Sequence, residues 1–525
     1  MGLVSVLKQL SNEENSTLYV SILFGLIIIT MFLFLNFTRT KNNQNLPPCP
    51  PKLPFIGNLH QLGTLPHRSF HELSKKHGPL MLLELGQVPT LVVSSADVAR
   101  EIIKNYDVIF SDRPQTTAAN IFTYGCKDVG FVPYGEEWRQ KRRICVLELL
   151  SVKRVRSFCF VREQEVAELV GGIRESCVRN KGSCVNLSEL LVSTSNNIVS
   201  RCILGQKYNT PKDCNDKNFG ELGRKLMRQF SCFSVKDFFP SFGWIDSVRG
   251  LISEMNATSI AFDSFLEDVI EEHIIRRRNK EKKKGDDHFE KKDFVDILLE
   301  LQENNMLQFE DSQDNFKAIL VDMFVGGSDT FSTTLEWTFA ELLKNPKAMK
   351  KAQEEVRRVV GRKSKVEEND VNQMNYLNCV IKETLRLHPP LPLLIPRQTT
   401  SSVKVQSFNI PPKTRVFINA WAIQRDPKLW EEAEEFIPER FENNQVDIKG
   451  LDFQLIPFGV GRRGCPGISF GLVSTGYVLA NLLYWFDWKL HGEDEGDIDM
   501  DEMCGLTVSK KVSLHLQPIP YSLSS

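Results

Sequence analysis

The chain has no paired-cysteine motif. Its 12 cysteines are scattered through 525 residues with no Cys-x-x-Cys pair and no cysteine–histidine spacing of the metal-binding kind, which excludes a zinc finger and a dithiol redox centre. In a chain of this length they read as reduced, mostly buried thiols, not as a disulfide framework. An excess of either charge is also missing. With 65 Lys and Arg against 66 Asp and Glu the formal net charge is −1, so nothing points to nucleic acid and any electrostatic docking surface has to be local. Internal repeats are absent, and past residue 58 no further spanning segment is read from the sequence.

One such run is present near the start. Residues 18–37, LYVSILFGLIIITMFLFLNF, carry no charge, and a helix of about 20 apolar residues crosses the roughly 30 Å hydrocarbon core of a membrane. The run exceeds the about 7–15 apolar residues of a cleaved signal peptide and lacks a small-residue cleavage site after it, so it reads as a retained transmembrane anchor. Glu13 and Glu14 precede it, and Arg39, Lys41 and Lys52 follow. The positive-inside tendency then leaves residues 1–17 lumenal, with a sequon at Asn15, and the body cytoplasmic. Residues 38–57 form a hinge with Pro47, Pro48, Pro50, Pro51 and Pro54. Proline at this density stops the helix and favours a stiff spacer, although a plain linker would share the composition.

Residues 58–525 read as one body, mainly α with a small β region (α+β). PLMLLELG and PTLVVSS, near 79–95, are strand-like. PKAMKKAQEEVRRVVG is an amphipathic helix with Asn345 as its cap, Pro346 in its first turn and Gly361 at its end. The charged stretch 279–293, NKEKKKGDDHFEKKD, reads as a solvated loop between helices.

The chemistry concentrates in PFGVGRRGCPG, residues 457–467. Gly459, Gly461 and Gly464 spell Gly-x-Gly-x-x-Gly, and Asp487 lies about 20 residues further on, as in a dinucleotide fingerprint. That fold needs several βα crossovers, however, and residues 465–525 do not alternate strand and helix. Pro457 and Pro466 also flank the glycines where an amide-lined turn should enter its helix. The segment can instead be read around Cys465. A metal-ligating thiolate needs backbone N–H groups or positive charge nearby to stay ionised. The glycines let amides approach the sulfur, and the apolar helix expected after Gly467 points its positive end there. Arg463 stands ready for an acidic group on a cofactor. A single thiolate without other Cys or His ligands suits a metal whose equatorial positions a macrocycle already fills, which describes haem.

Phe458-x-x-Gly461-x-Arg463-x-Cys465-x-Gly467 resembles the haem-binding signature of the cytochrome P450 family. KETLR, with Glu383 and Arg386, and PERF, with Arg440, precede it in the expected order. The resemblance covers essentially the whole chain and is closest to the plant A-type, 71-clan microsomal group. It implies the cytochrome P450 fold with an N-terminal transmembrane helix in the endoplasmic reticulum membrane. It also implies haem b with Cys465 as the axial ligand of its iron, and Trp138, Arg142, Arg397 and Arg463 reaching the haem propionates. Taken alone, Trp138 and Arg142 are merely one face of a basic exposed helix, WRQKRR. Glu383 and Arg386 alone are an i,i+3 pair of small worth; the resemblance joins them to Arg440 in a buried structural network behind the haem.

FKAILVDMFVGGSDTFSTTLEWTFAELL, from Phe316, is apolar nearly all round, as a core helix is. Gly326, Gly327, Ser328, Asp329 and Thr330 in its middle pack poorly and could mark a contact or a kink. The resemblance makes them an oxygen-activating groove in which Thr330 hydrogen-bonds the bound oxygen and Asp329 relays protons. Phe331 replaces the Ser or Thr usual in relatives. By position, Met323, Val325, Gly326, Leu391, Leu394 and Leu506 wall a substrate pocket that suits a lipophilic small molecule.

The implied reaction is hydroxylation or epoxidation of a plant specialised metabolite (terpenoid, phenylpropanoid, flavonoid or alkaloid) with O2. Electrons come from NADPH, its nucleotide and flavins reached only through cytochrome P450 reductase, with cytochrome b5 as a second candidate donor. Arg139, Lys141, Arg143, Lys153, Arg154 and Arg156 form a local basic patch for an acidic redox partner. Two rivals stay open: a haem enzyme of the same fold that dehydrates or rearranges an oxidised substrate such as an aldoxime, and a membrane-tethered haem sensor without turnover.

Overall fold

The computed structural model describes residues 13–37, 45–179, 184–207, 219–282, 292–307, 312–443, 446–490 and 498–521. Helices dominate, and two of them position the rest. The central helix, Ser312–Lys344, is buried without interruption from Phe331 to Leu342, as a sequence apolar all round requires. It packs along Leu187–Leu204 and against Ile468–Trp485. This last helix, ISFGLVSTGYVLANLLYW, is long and apolar enough to cross a membrane, yet it is 67% buried inside the body and serves as core.

The β structure is small and peripheral. One sheet runs in the order Leu80–Leu85, Val88–Val93, Arg415–Ile418, Arg397–Gln398. The two strand-like segments read from the sequence form its hairpin, with Leu85 opposite Val88. Gly86 makes the turn at φ +65, where a Cβ would lie 2.4 Å from the Phe238 carbonyl oxygen, so glycine alone fits. Val185–Asn186, His515–Pro520 and Phe486–Leu490 form a second sheet. Two hairpins complete the set, Val403–Val405 with Phe408–Ile410 and Glu502–Cys504 with Val508–Lys510. Among the described residues the only parallel pairing joins Val88–Val93 to Arg415–Ile418, and no strand leads directly into the 457–467 glycines. The repeated crossover of a dinucleotide fold is not there.

Three local expectations need correction. The helix Pro346–Val360 ends at Gly361 as read, but the Asn345 side chain does not cap it; its amide donates back to the Glu341 carbonyl. The charged stretch 279–293 is not loop throughout: Asn279–Lys282 extends the helix Leu251–Lys282, residues 283–291 lie outside the described residues, and Asp293 is buried. Asp293 caps Phe294–Glu303 and accepts from His273 Nε2 at 2.9 Å. The hinge, from Asn45 onward, is bonded to the body. The Pro48 carbonyl accepts from Leu82 N, and Asn58 donates to Pro50 and Pro51 while accepting from Glu84 N.

The N-terminal run is helical over Glu13–Phe37, and Tyr19, Leu23, Phe24 and Ile27 are all more than half exposed. The flanks 1–12 and 38–44 lie outside the described residues.

Candidate functional site

The sulfur loop is shaped by two glycines and one acid. Gly459 and Gly461 adopt φ +71 and +69, and a Cβ on Gly461 would stand 2.8 Å from Asp107 Oδ1. Asp107 is the anchor that sequence reasoning missed. It accepts from Arg462 N at 2.9 Å and from Arg397 at 3.0 Å, so it binds the loop to the strand carrying Arg397. The loop then closes on itself, with Cys465 N donating to the Phe458 carbonyl at 2.8 Å. Ile468–Trp485 begins just beyond, and Gly467 N donates to Cys465 Sγ at 3.3 Å.

Cys465 lines an internal cavity together with Phe458, Gly459, Pro466 and Gly467. Burial raises its pKa; the Gly467 amide and Arg142 act the other way without overcoming it. The expectation that loop amides and the helix end keep the sulfur ionised is therefore met only in part. One amide reaches it, and a bound metal would complete the deprotonation.

Positive charge gathers at the same cavity. Arg113, Arg142, Arg397 and Arg463 all line it, as does Trp138. Trp138 and Arg142 lie on the short helix Glu136–Ile144. The Arg463 guanidinium sits over the Trp138 ring, 4.8 Å from its centroid, and donates to the carbonyls of Ser111, Val129 and Val132. Arg397 also donates to the carbonyls of Phe110 and Val460. Burial, then the neighbouring Arg397, brings Arg463 down to about 10. Burial likewise lowers Arg142 and Arg397. Among the described residues neither the Arg142 guanidinium nor the Trp138 indole N–H has a hydrogen-bond partner. This donor set fits haem b, with a sulfur for the iron and unsatisfied cationic N–H groups for carboxylates at the macrocycle edge.

The central helix supplies another wall through Met323, Gly326, Gly327 and Thr330. A Cβ on Gly326 would meet nothing within 4 Å, so this glycine leaves open space; one on Gly327 would press on Val199 at 3.3 Å, so that glycine serves helix packing. Thr330 Oγ1 donates to the Gly326 carbonyl at 2.8 Å. Phe331 lines the cavity as well. Asp329 is not in the lining. Its carboxylate accepts from Thr507 Oγ1 at 2.5 Å, and burial raises its pKa against that bond. Leu391 and Leu394 join the wall, whereas Val325 packs into the core and Leu506 lies outside the lining.

Glu383, Arg386 and Arg440 come together outside the lining. Arg386 grips Glu383 with Nε at 2.7 Å and Nη2 at 2.8 Å, and Arg440 Nε reaches Glu383 Oε1 at 3.0 Å. Arg386 further donates to the carbonyls of Gln424, Ala433 and Glu435. Gln424 Oε1 accepts from Ile456 N, which ties this frame to the chain entering the sulfur loop. The basic patch is smaller than its sequence suggests. Lys141 is fully buried, bonded to Glu137 and to the Lys127 carbonyl, while Arg139, Arg143, Lys153 and Arg156 remain exposed.

Comparison with known proteins agrees with this geometry. The cytochrome P450 family model matches residues 47–516. The chain is 52% identical to a phenylacetaldehyde oxime monooxygenase of Prunus mume over 99% of its own length and 100% of the relative's. It is also 52% identical to cytochrome P450 71A1 of Persea americana, covering 95% and 98%. A strychnine-11-hydroxylase of Strychnos nux-vomica is 46% identical, covering 96% and 98%. A zebrafish cytochrome P450 structure with abiraterone shares the fold at TM-score 0.71 and 24% identity, over 87% of this chain and 100% of that one.

Proposed function

We propose, because this chain belongs to the cytochrome P450 family and is a monooxygenase built around haem b, that it adds one oxygen atom to a lipophilic plant specialised metabolite by hydroxylation or epoxidation. The observation that carries this reading is the cavity itself: the Cys465 sulfur, a cationic edge and a groove at Gly326 and Thr330 all line one mostly apolar space.

In this reading Cys465 ligates the haem iron, and Trp138, Arg142, Arg397 and Arg463 hold its carboxylates. When bound, the haem supplies the activation of dioxygen. The chain's own residues manage substrate and protons. Met323, Leu391 and Leu394 hold the substrate by apolar contact and keep water away. Thr330 Oγ1, whose hydrogen goes to the Gly326 carbonyl, presents an accepting oxygen to the cavity. Asp329 stores a proton at its carboxyl. It delivers that proton when it rotates away from Thr507, or through a bridging water, since it does not itself line the cavity.

The names of the relatives guide the substrate class: one acts on an aldoxime and one on an alkaloid. The mostly apolar lining suits a lipophilic skeleton of the phenylpropanoid, terpenoid or alkaloid kind. Electrons come from NADPH through cytochrome P450 reductase docked at Arg139, Arg143, Lys153 and Arg156, with residues 18–37 anchoring the enzyme in the endoplasmic reticulum membrane and the body in the cytoplasm. A second reading, dehydration of an aldoxime by the same haem site, shares the oxime substrate with one relative, which is itself named a monooxygenase.

Membranes carrying the full chain, incubated with a metabolite panel with and without NADPH, reductase and O2, separate these. Product that requires all three supports oxygen insertion. Product formed without O2 supports the second reading and overturns the first.

A further inference from the structure

Asp322 and Asp128 belong to no role described so far, yet Asp128 is fully buried and Asp322 half-buried at the cavity wall. Asp322 lies on the central helix, four and eight residues before Gly326 and Thr330. It therefore shares their face, and it lines the cavity with them. Its Oδ2 accepts from Val129 N at 2.5 Å and from Gly130 N at 3.1 Å. Asp128 Oδ1 accepts from the Thr123 hydroxyl at 2.8 Å and its Oδ2 from Phe131 N at 2.9 Å. The two carboxyls converge on Gly130, where a Cβ would lie 2.9 Å from Asp128 Oδ2 and 3.4 Å from Asp322 Oδ1, and burial together with the neighbouring Asp128 carboxyl raises the pKa of Asp322 well above the carboxylate range. Two carboxyls this close do not both stay ionised, so the pair shares one proton. Both Asp128 oxygens and Asp322 Oδ2 already accept from donors, which leaves Asp322 Oδ1 to carry it.

The two peptide units held by this pair point directly at the cationic edge. The unit whose N–H is Gly130's has the Val129 carbonyl at its other end, and that carbonyl accepts from Arg463 at 3.1 Å. The next unit gives Phe131 N–H to Asp128 and the Gly130 carbonyl to Arg113 Nε at 2.9 Å. Each carboxyl thus reaches one arginine through one peptide, and hydrogen bonds in such a chain polarise one another. A Cβ on Gly130 would lie 2.9 Å from Asp128 Oδ2, so the approach needs glycine there.

We infer that Asp322 and Asp128 are positioning residues: a singly protonated carboxyl pair that fixes the 128–132 loop and, through two successive peptide groups, sets Arg463 and Arg113 at the edge of the cofactor cavity. The inference rests on the haem assignment only for what the arginines face; the shared proton and the clamp stand on this chain's contacts alone.

The test compares Asp322→Asn with Asp322→Leu in the full-length holoprotein. Asparagine replaces the proton-bearing oxygen with an N–H donor and keeps an acceptor for Val129 and Gly130, whereas leucine keeps neither. We expect Asp322→Asn to retain the haem reduction potential of the parent and Asp322→Leu to shift it to lower values as the guanidinium groups lose their register, with both folded by far-ultraviolet circular dichroism. Equal potentials in all three proteins, or an asparagine variant that behaves like leucine, overturn the inference. Should the leucine variant not fold, infrared difference spectroscopy of parent against Asp322→Asn decides the matter at neutral pH. A protonated-carboxyl stretch present in the parent and missing in the variant is expected, and its absence from the parent overturns the shared proton. Neither readout requires turnover, so failure here is distinct from failure of the proposed reaction.

Discussion

Arg142 differs from the other arginines around the sulfur in having no hydrogen-bond partner among the described residues, while Arg397 and Arg463 are held by carbonyls and, for Arg397, by Asp107. Half-buried at the cavity wall, this guanidinium is free to take an anion from a ligand there. Thr330 and Asp329 are likewise placed apart, one lining the cavity and one behind it. If Thr330 handles protons, Thr330→Ala should lower product formed per NADPH consumed by about 10²-fold, the low end for a positioned proton group, while NADPH consumption continues. Equal coupling in both proteins would remove Thr330 from that role. Glu383 carries a different burden. It neutralises two arginines while wholly buried, so Glu383→Gln leaves both charges uncompensated and should destabilise the protein by about 3–5 kcal/mol. Urea denaturation checks this.

Among elements, the terminal hairpin shows how distant segments brace the site. Glu502, in the strand Glu502–Cys504, accepts from His67 at 3.1 Å and Arg68 at 2.7 Å, both on the helix Pro66–His77. Burial alone would raise its pKa, but those bonds and charges outweigh it and hold Glu502 at about 2. The group is depressed from the ordinary 4.5, so its stabilisation is present above that pH and fades as pH falls toward 2. The melting-temperature gap between the parent and Glu502→Gln should close over this interval; a constant gap would deny the linkage. Such braces explain what the sequence showed and what it hid. The sulfur loop, the Glu383–Arg386 pair and the hairpin at Gly86 are local patterns and were legible. Asp107, Gln424 and Asp322 act on partners hundreds or tens of residues away, at Arg397, Ile456 and Val129, and no spacing announces them. Lys141 was readable in principle, since Glu137 stands four residues before it, but a run of basic residues hid that pair.

At the scale of the molecule, the sulfur loop, the short helix Glu136–Ile144 and the central helix each present their unusual residues to the same cavity. The dinucleotide-like glycines belong to that arrangement. The positive φ values of Gly459 and Gly461 bring the loop onto Asp107, and among the described residues no nucleotide fold surrounds them. Everything else proposed for the cavity depends on Cys465 ligating the haem iron. The most direct measurement is the carbon monoxide difference spectrum of the reduced full-length protein beside Cys465→Ala. The account predicts the red-shifted thiolate band in the parent and its loss in the variant; a band that survives the substitution would contradict it.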